Sequence, residues 1–304
     1  MRLKSIILCI GLAPVLLAAN EPIRLQPSSP WNVDYAQNSC RLARTFGDGT
    51  DKTTLIFESA APEDMTMLVT GAPLATGVRE VPAKFGPSDN KSIRGRLAET
   101  KDGGLPAILW SDVALLPDSL SKPLQERARQ ARERPSVRPA PIDLKERDAV
   151  RGARLAFASA VREIEIDPRQ GKSVFLETGS LGEAVKVFDL CTRDALHDAG
   201  VDPGTEDKIV RPVWTPQPIR WLEGSYPGDM IRRNQEAEVS ARLLVDQTGR
   251  VTSCTSLSYF DEPEFNKAVC DKFMALAHFS PAELADGTKV PSYYTAHVIF
   301  RVGR

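Results

Sequence analysis

Four cysteines, three histidines and one Gly-Lys-Ser triplet are the residues here whose types and spacing bear on chemistry. Cys40, Cys191, Cys254 and Cys270 form an even set, suited to two disulfides in an oxidising compartment, while Cys9 lies apart within an apolar run. No C-x-x-C occurs, and His197, His278 and His297 are scattered, so zinc-ligand spacing is missing and no metal is expected. Gly171-Lys172-Ser173 has the ending of a phosphate loop, yet Ile166 stands where that loop needs its first glycine. The triplet reads as a turn before a strand, and no cofactor is expected. There is no G-x-S-x-G, no Ser-His-Asp order in a recognisable setting and no carboxylate pair in an apolar context. The expectation is a protein that binds rather than one that catalyses.

Composition narrows the class further. The chain has 304 residues, 42% hydrophobic and 26% charged, enough apolar material for two cores. Lys plus Arg number 39 against 40 Asp plus Glu, so no global field attracts nucleic acid. Arg127, Arg129, Arg132 and Arg134 alternate with Glu126 and Glu133 and read as a solvated helix face. At the start, Arg2 and Lys4 precede an apolar run, Ile6 to Leu17, followed by Ala18 and Ala19. That is the layout of a secretory signal peptide over 1–19, and the run is shorter than the ~17–25 residues of a spanning helix. Export to the periplasm is expected. Retention of the segment as an inner-membrane anchor is the alternative.

The elements that must position these residues divide into two sets. Residues 20–203 read as an α+β domain of no recognised family. After a proline-rich lead-in expected to be a loop, strands are expected within 31–46 and at 53–58, 65–70, 92–98 and 107–110. A polar helix follows over 120–133, then strands at 155–160, 162–166 and 173–178, and a helix over 181–199 with Leu181, Val185, Phe188 and Ala195 on one face. Cys40 with Cys191 is the preferred pairing, since it would pin that last helix to the domain's first segment, although four cysteines allow three connectivities. Residues 204–220 carry Pro212 and Pro216 without an apolar period and are expected to be a linker.

In residues 221–304, Pro227 suits the first turn of a short helix. Val239, Ala241, Leu243 and Val245 then alternate with Ser240, Arg242 and Leu244, and Val251, Ser253, Thr255 and Leu257 alternate likewise beyond a turn ending at Gly249. A helix over 264–277 carries Phe265, Ala268, Val269, Phe273 and Leu276 as a core stripe. Pro281 stops it, Asp286-Gly287 turns the chain, and a final strand over 290–302 puts Tyr294, Ala296, Val298 and Phe300 on one face.

That order of pieces resembles the TonB C-terminal domain family. The resemblance rests on SYPGDMIRR with Tyr226 and Pro227, the hairpin VSARLLVDQTGRV with Gly249, FSPA with Phe279 and Pro281, the Gly287 turn and the closing HVIF. It covers 221–304 alone. It implies an antiparallel sheet covered by two helices, working in the periplasm and docking on an outer-membrane transporter or another envelope protein by adding an extended peptide to a sheet edge. The implied edge is 290–302, with Tyr293, Thr295, His297 and Ile299 beside the peptide. The same edge would permit a homodimer by strand pairing. Cys254 and Cys270, on a hairpin strand and the helix above it, fit the implied fold as a second disulfide, two buried thiols being the alternative. The family's transducers also carry an anchor and a long Pro-rich spacer. Here the only Pro-rich piece is 135–141, too short to bridge a periplasm, so two rivals stand beside peptide binding: an anchored energy transducer, and an envelope enzyme carrying the module for targeting.

Overall fold

A computed structural model describes residues 21–302 apart from 36–38, 63, 77, 79, 87–92, 100–103, 134–136, 169–171, 216–221, 223–224 and 258–262. The expected signal peptide, 1–19, lies outside the described residues, as do Gly171 and the end of the basic cluster at Arg134. Among the described residues, no helix is long and apolar enough to cross a membrane.

The chain is α+β. Ten strands build the first sheet: β1 (Ile23–Leu25), β2 (Asn32–Tyr35), β3 (Cys40–Phe46), β4 (Thr53–Ala61), β5 (Asp64–Gly71), β6 (Glu80–Gly86), β7 (Ile93–Glu99), β8 (Pro106–Trp110), β9 (Glu163–Ile166) and β10 (Val174–Leu176). Their spatial order is β1-β10-β9-β6-β7-β8-β5-β4-β3-β2. Pro27 bridges Phe46 just beyond β1, so the first strand of the sheet also meets the end of β3 and the sheet closes on itself. Leu42, Leu55, Phe57, Met67, Ile108, Trp110, Ile164 and Leu176 recur at period two and form the interior. Three helices belong with this sheet: α1 (Asp118–Glu133), α2 (Leu144–Ala160) and α3 (Gly182–Asp198). Leu181, Val185, Phe188 and Cys191 carry α3 into the core, where Cys191 is disulfide-bonded to Cys40.

Two expectations for this half need correction, and one further strand has no counterpart among them. The lead-in is not all loop: Ile23–Leu25 pairs in parallel with Val174–Leu176. Three residues are too few to show a period, and a strand made by a partner 151 positions on has no local signature. Residues 155–160 are the end of α2, not a strand. Leu155 and Phe157 alternate, but Asp143 caps the helix by accepting the Lys145 amide, and the helix-favouring run that follows carries through to Ala160. Strand β6 gives no strand signal because Pro82 interrupts it, yet that proline sits between β7 and β9 without ending the pairing.

The second half starts earlier than expected. The segment expected to be a linker holds a short helix, α4 (Pro203–Glu206), and a strand, β11 (Ile209–Arg211), whose Ile209 and nearby Val213 are buried in the second core. Strand β11 pairs with β14 (Ala282–Leu284), which pairs with β15 (Lys289–Val290). The other sheet has order β13-β12-β16, from β12 (Ala237–Val245), β13 (Val251–Leu257) and β16 (Ser292–Phe300). Helix α5 (Gly228–Arg232) and helix α6 (Pro263–Leu276) accompany it, and Phe265, Val269 and Phe273 of α6 pack on Val239, Ala241, Leu243, Ala296 and Phe300. A disulfide joins Cys254 of β13 to Cys270 of α6. The expected strand 290–302 is divided by Pro291, which leaves β15 and β16 in different sheets.

Candidate functional site

Strand β16 is terminal in its sheet, with β12 on one side only. Which of its main-chain groups face outward follows from the hairpin. The Asp246 amide donates to the Arg250 carbonyl, so 246, 244, 242 and 240 face β13, and the alternate residues face β16. Leu243 lies opposite Tyr294 and Ala241 opposite Ala296, so the even residues of β16 bond to β12 and Tyr293, Thr295, His297 and Ile299 turn their amides outward. This is the set that the resemblance implies.

The structure does not bring all four together. Thr295, His297 and Ile299 line a groove of about 450 Å³, whereas Tyr293 lines a separate small cleft with Arg151, Arg193 and Glu206. Because 294 to 297 all border the groove, it runs along the strand's margin rather than over one face. Its opposite wall comes from the first domain: Arg96, Leu109, Ser111 and Asp112. Arg96 pairs with Glu238 of β12 at 2.9 Å, Ser111 also bonds Glu238, and His297 has Nε2 3.3 Å from Asp112 and Nδ1 2.9 Å from Ser240. The first-domain residues escape sequence reasoning because they are about 180 to 200 positions from β16 and follow no motif.

The outer face of this small sheet is covered by the protein itself. Arg242, 4% exposed, donates from Nη1 to the Ala60 carbonyl at 2.7 Å, and Ser240 is buried beside it. The two halves are further joined where Arg138 donates to Glu283 at 2.7 Å and the Ile142 amide to Val210 at 2.7 Å. A charged cluster completes the contact. Arg193 and Arg151 lie 2.8 and 2.9 Å from Asp207, Arg147 donates to the backbone of 206–209, and Ser292 of β16 donates to Glu206 at 2.8 Å.

The cluster titrates in two directions. The Arg193 hydrogen bond, helped by Arg151 against desolvation, holds Asp207 at about 2 rather than 3.8. Its contribution is therefore present above 3.8 and lost as pH falls through 3.8 toward about 2. Burial raises Glu206, with the Ser292 hydrogen bond opposing, so Glu206 costs stability as pH rises past its ordinary 4.5. Urea unfolding across this acid range is expected to show a steeper loss for the wild type than for Asp207→Asn. Parallel acid limbs would remove Asp207 from the linkage.

The sequence motifs of the second domain have structural duties. Tyr226 packs edge-on against Phe265 and Phe300, at 5.6 and 5.2 Å between centroids, and bonds the Gln235 carbonyl. Pro227 caps α5. The Gly249 carbonyl accepts the Phe279 amide at 2.9 Å, Pro281 stands next to it, and Gly287 takes φ +84° in the β14–β15 turn.

The second domain thus has a three-stranded antiparallel sheet backed by one long helix, with a terminal strand bordering a groove. Residues 223–302 match the family described as Gram-negative bacterial TonB protein C-terminal, and this part of the chain is a TonB C-terminal domain. A TonB-like envelope protein is what that match supports. No curated protein matches the chain.

Proposed function

We propose that this protein binds an extended peptide of an envelope partner, an outer-membrane transporter above all, by adding it as a strand along β16, and that its role is binding rather than catalysis. The observation that carries the reading is the terminal position of β16 beside a groove, with outward amides at Thr295 and Ile299. Main-chain pairing supplies affinity, and alternate side chains supply selection. The first domain would then form the far wall, so that Asp112 and Ser111 meet the peptide as well as β16. An exported, periplasmic setting agrees with the leader-like N-terminus and the two disulfides.

Synthetic peptides copied from the periplasmic N-terminal segments of the host's outer-membrane transporters supply the test. Their binding is expected to shift the amide resonances of Thr295 and Ile299, and Thr295→Pro should weaken it by roughly tenfold or more while the protein stays folded. Ala296→Pro removes an amide that serves β12 and should damage the sheet itself. Unchanged affinity in folded Thr295→Pro protein would exclude strand addition at this edge. Loss of a homodimer instead of a peptide complex would assign the edge to self-pairing.

A further inference from the structure

Arg242 is a buried cation without a buried anion. Its guanidinium carries five donors, of which one reaches the Ala60 carbonyl, and Nε has no hydrogen-bond partner. Among the described residues no carboxylate pairs with it. Burial lowers its pKa, but an arginine stays protonated in a protein, so the positive charge persists in a setting where charges are normally paired.

That side chain borders a second cleft, of about 540 Å³, on the opposite margin of the sheet from β16. Ser253 and Thr255 of β13 line the same wall, Thr255 directly across the ladder from Arg242. The facing wall is α3, where Asp194 and Asp198 stand one turn apart and exposed, with Tyr35 at the rim. One wall therefore offers a cation and two hydroxyls, and the other offers two carboxylates. We infer that this cleft between the two domains binds a small zwitterion of about dipeptide size, its carboxylate at Arg242, Ser253 and Thr255 and its ammonium group at Asp194 and Asp198. The volume lies in the ~300–1,000 Å³ range of small-molecule sites. A carboxylate at Arg242 would use the donors that Ala60 leaves over, and an Arg–carboxylate contact is among the stronger charge-assisted hydrogen bonds.

The test is calorimetric titration of the whole protein with alanyl-lysine, its C-terminal amide and acetate. Alanyl-lysine is expected to bind, the amide to bind roughly tenfold or more weakly, and acetate weakly or not at all. Arg242→Gln should abolish binding, but it also releases the Ala60 contact. The exposed pair Asp194→Asn with Asp198→Asn therefore tests the other wall without touching either core, and it should weaken alanyl-lysine several-fold while leaving acetate unchanged. Absence of binding by alanyl-lysine, or equal binding by the acid and its amide, would overturn the inference and leave Arg242 as a tether for Ala60. Neither result bears on strand addition at β16, which lies on the other margin.

Discussion

Gly249→Val is expected to unfold the second domain, or to cost it more than about 3 kcal/mol. Gly249 holds φ +89°, a region where a side chain costs ~1–2 kcal/mol and a β-branched one more. A Cβ there would also sit well inside van der Waals contact with the Phe279 carbonyl oxygen, which is backbone and has no rotamer to yield. Relief would require breaking the hydrogen bond that the Phe279 N–H donates to the Gly249 carbonyl, and that bond aligns the chain between α6 and β14. Overpacking of this kind adds ~1–3 kcal/mol to the dihedral cost. The total is a large share of the ~5–15 kcal/mol that a domain has. Gly287→Ala separates the two terms. Gly287 has a similar φ of +84°, yet no atom lies within 4 Å of the place its Cβ would occupy, so it should lose only the dihedral part, ~1–2 kcal/mol. Chemical denaturation of both variants makes the comparison, and equal losses would show that the Phe279 contact is not the cause.

Removing Cys40–Cys191, as Cys40→Ser with Cys191→Ser, should cost ~4–5 kcal/mol, about 2 kcal/mol more than removing Cys254–Cys270. The two crosslinks span 151 and 16 positions, and in the chain-entropy description the unfolded ensemble loses more freedom from the longer loop. Both half-cystines of the longer bridge are buried, so serine there adds a polar group to the core and deepens the loss. Thermal melts of the two double variants at neutral pH give the ranking. Equal or reversed losses would point to enthalpic strain in the native state as the larger factor.

The second domain is the more legible in the sequence because its signals are local. Val239 to Val245, Val251 to Leu257 and the stripe from Phe265 to Phe273 each announce their own period, and Gly249 and Gly287 mark their turns. What escapes there is β11, three residues whose pairing with Ala282–Leu284 lies some 70 positions ahead. In the first domain, β1 is too short and β6 too interrupted to show a period, and the end of α2 resembles a strand because Leu155 and Phe157 alternate for too few residues to separate a strand from a helix face. The groove beside β16 is half legible. Thr295, His297 and Ile299 follow from the strand, while Arg96, Ser111 and Asp112 arrive only through the packing of one domain on the other, and Arg242 gives no sign in the sequence beyond being a charge within an apolar strand.

The pairing of β1 with β10 sets an order on folding. Ile23 meets Val174, and the same span is later sealed when Cys40 meets Cys191. A chain delivered from its N-terminus at ~5–20 residues per second holds its first strand without a partner for ~8–30 s, because that partner is made last. The strands from β3 to β8, linked by neighbours, can form hairpins in the meantime, but the ring waits for its latest member. Until then the interior face of β1 and the thiol of Cys40 lack the partners, Val174–Leu176 and Cys191, that cover them in the folded protein.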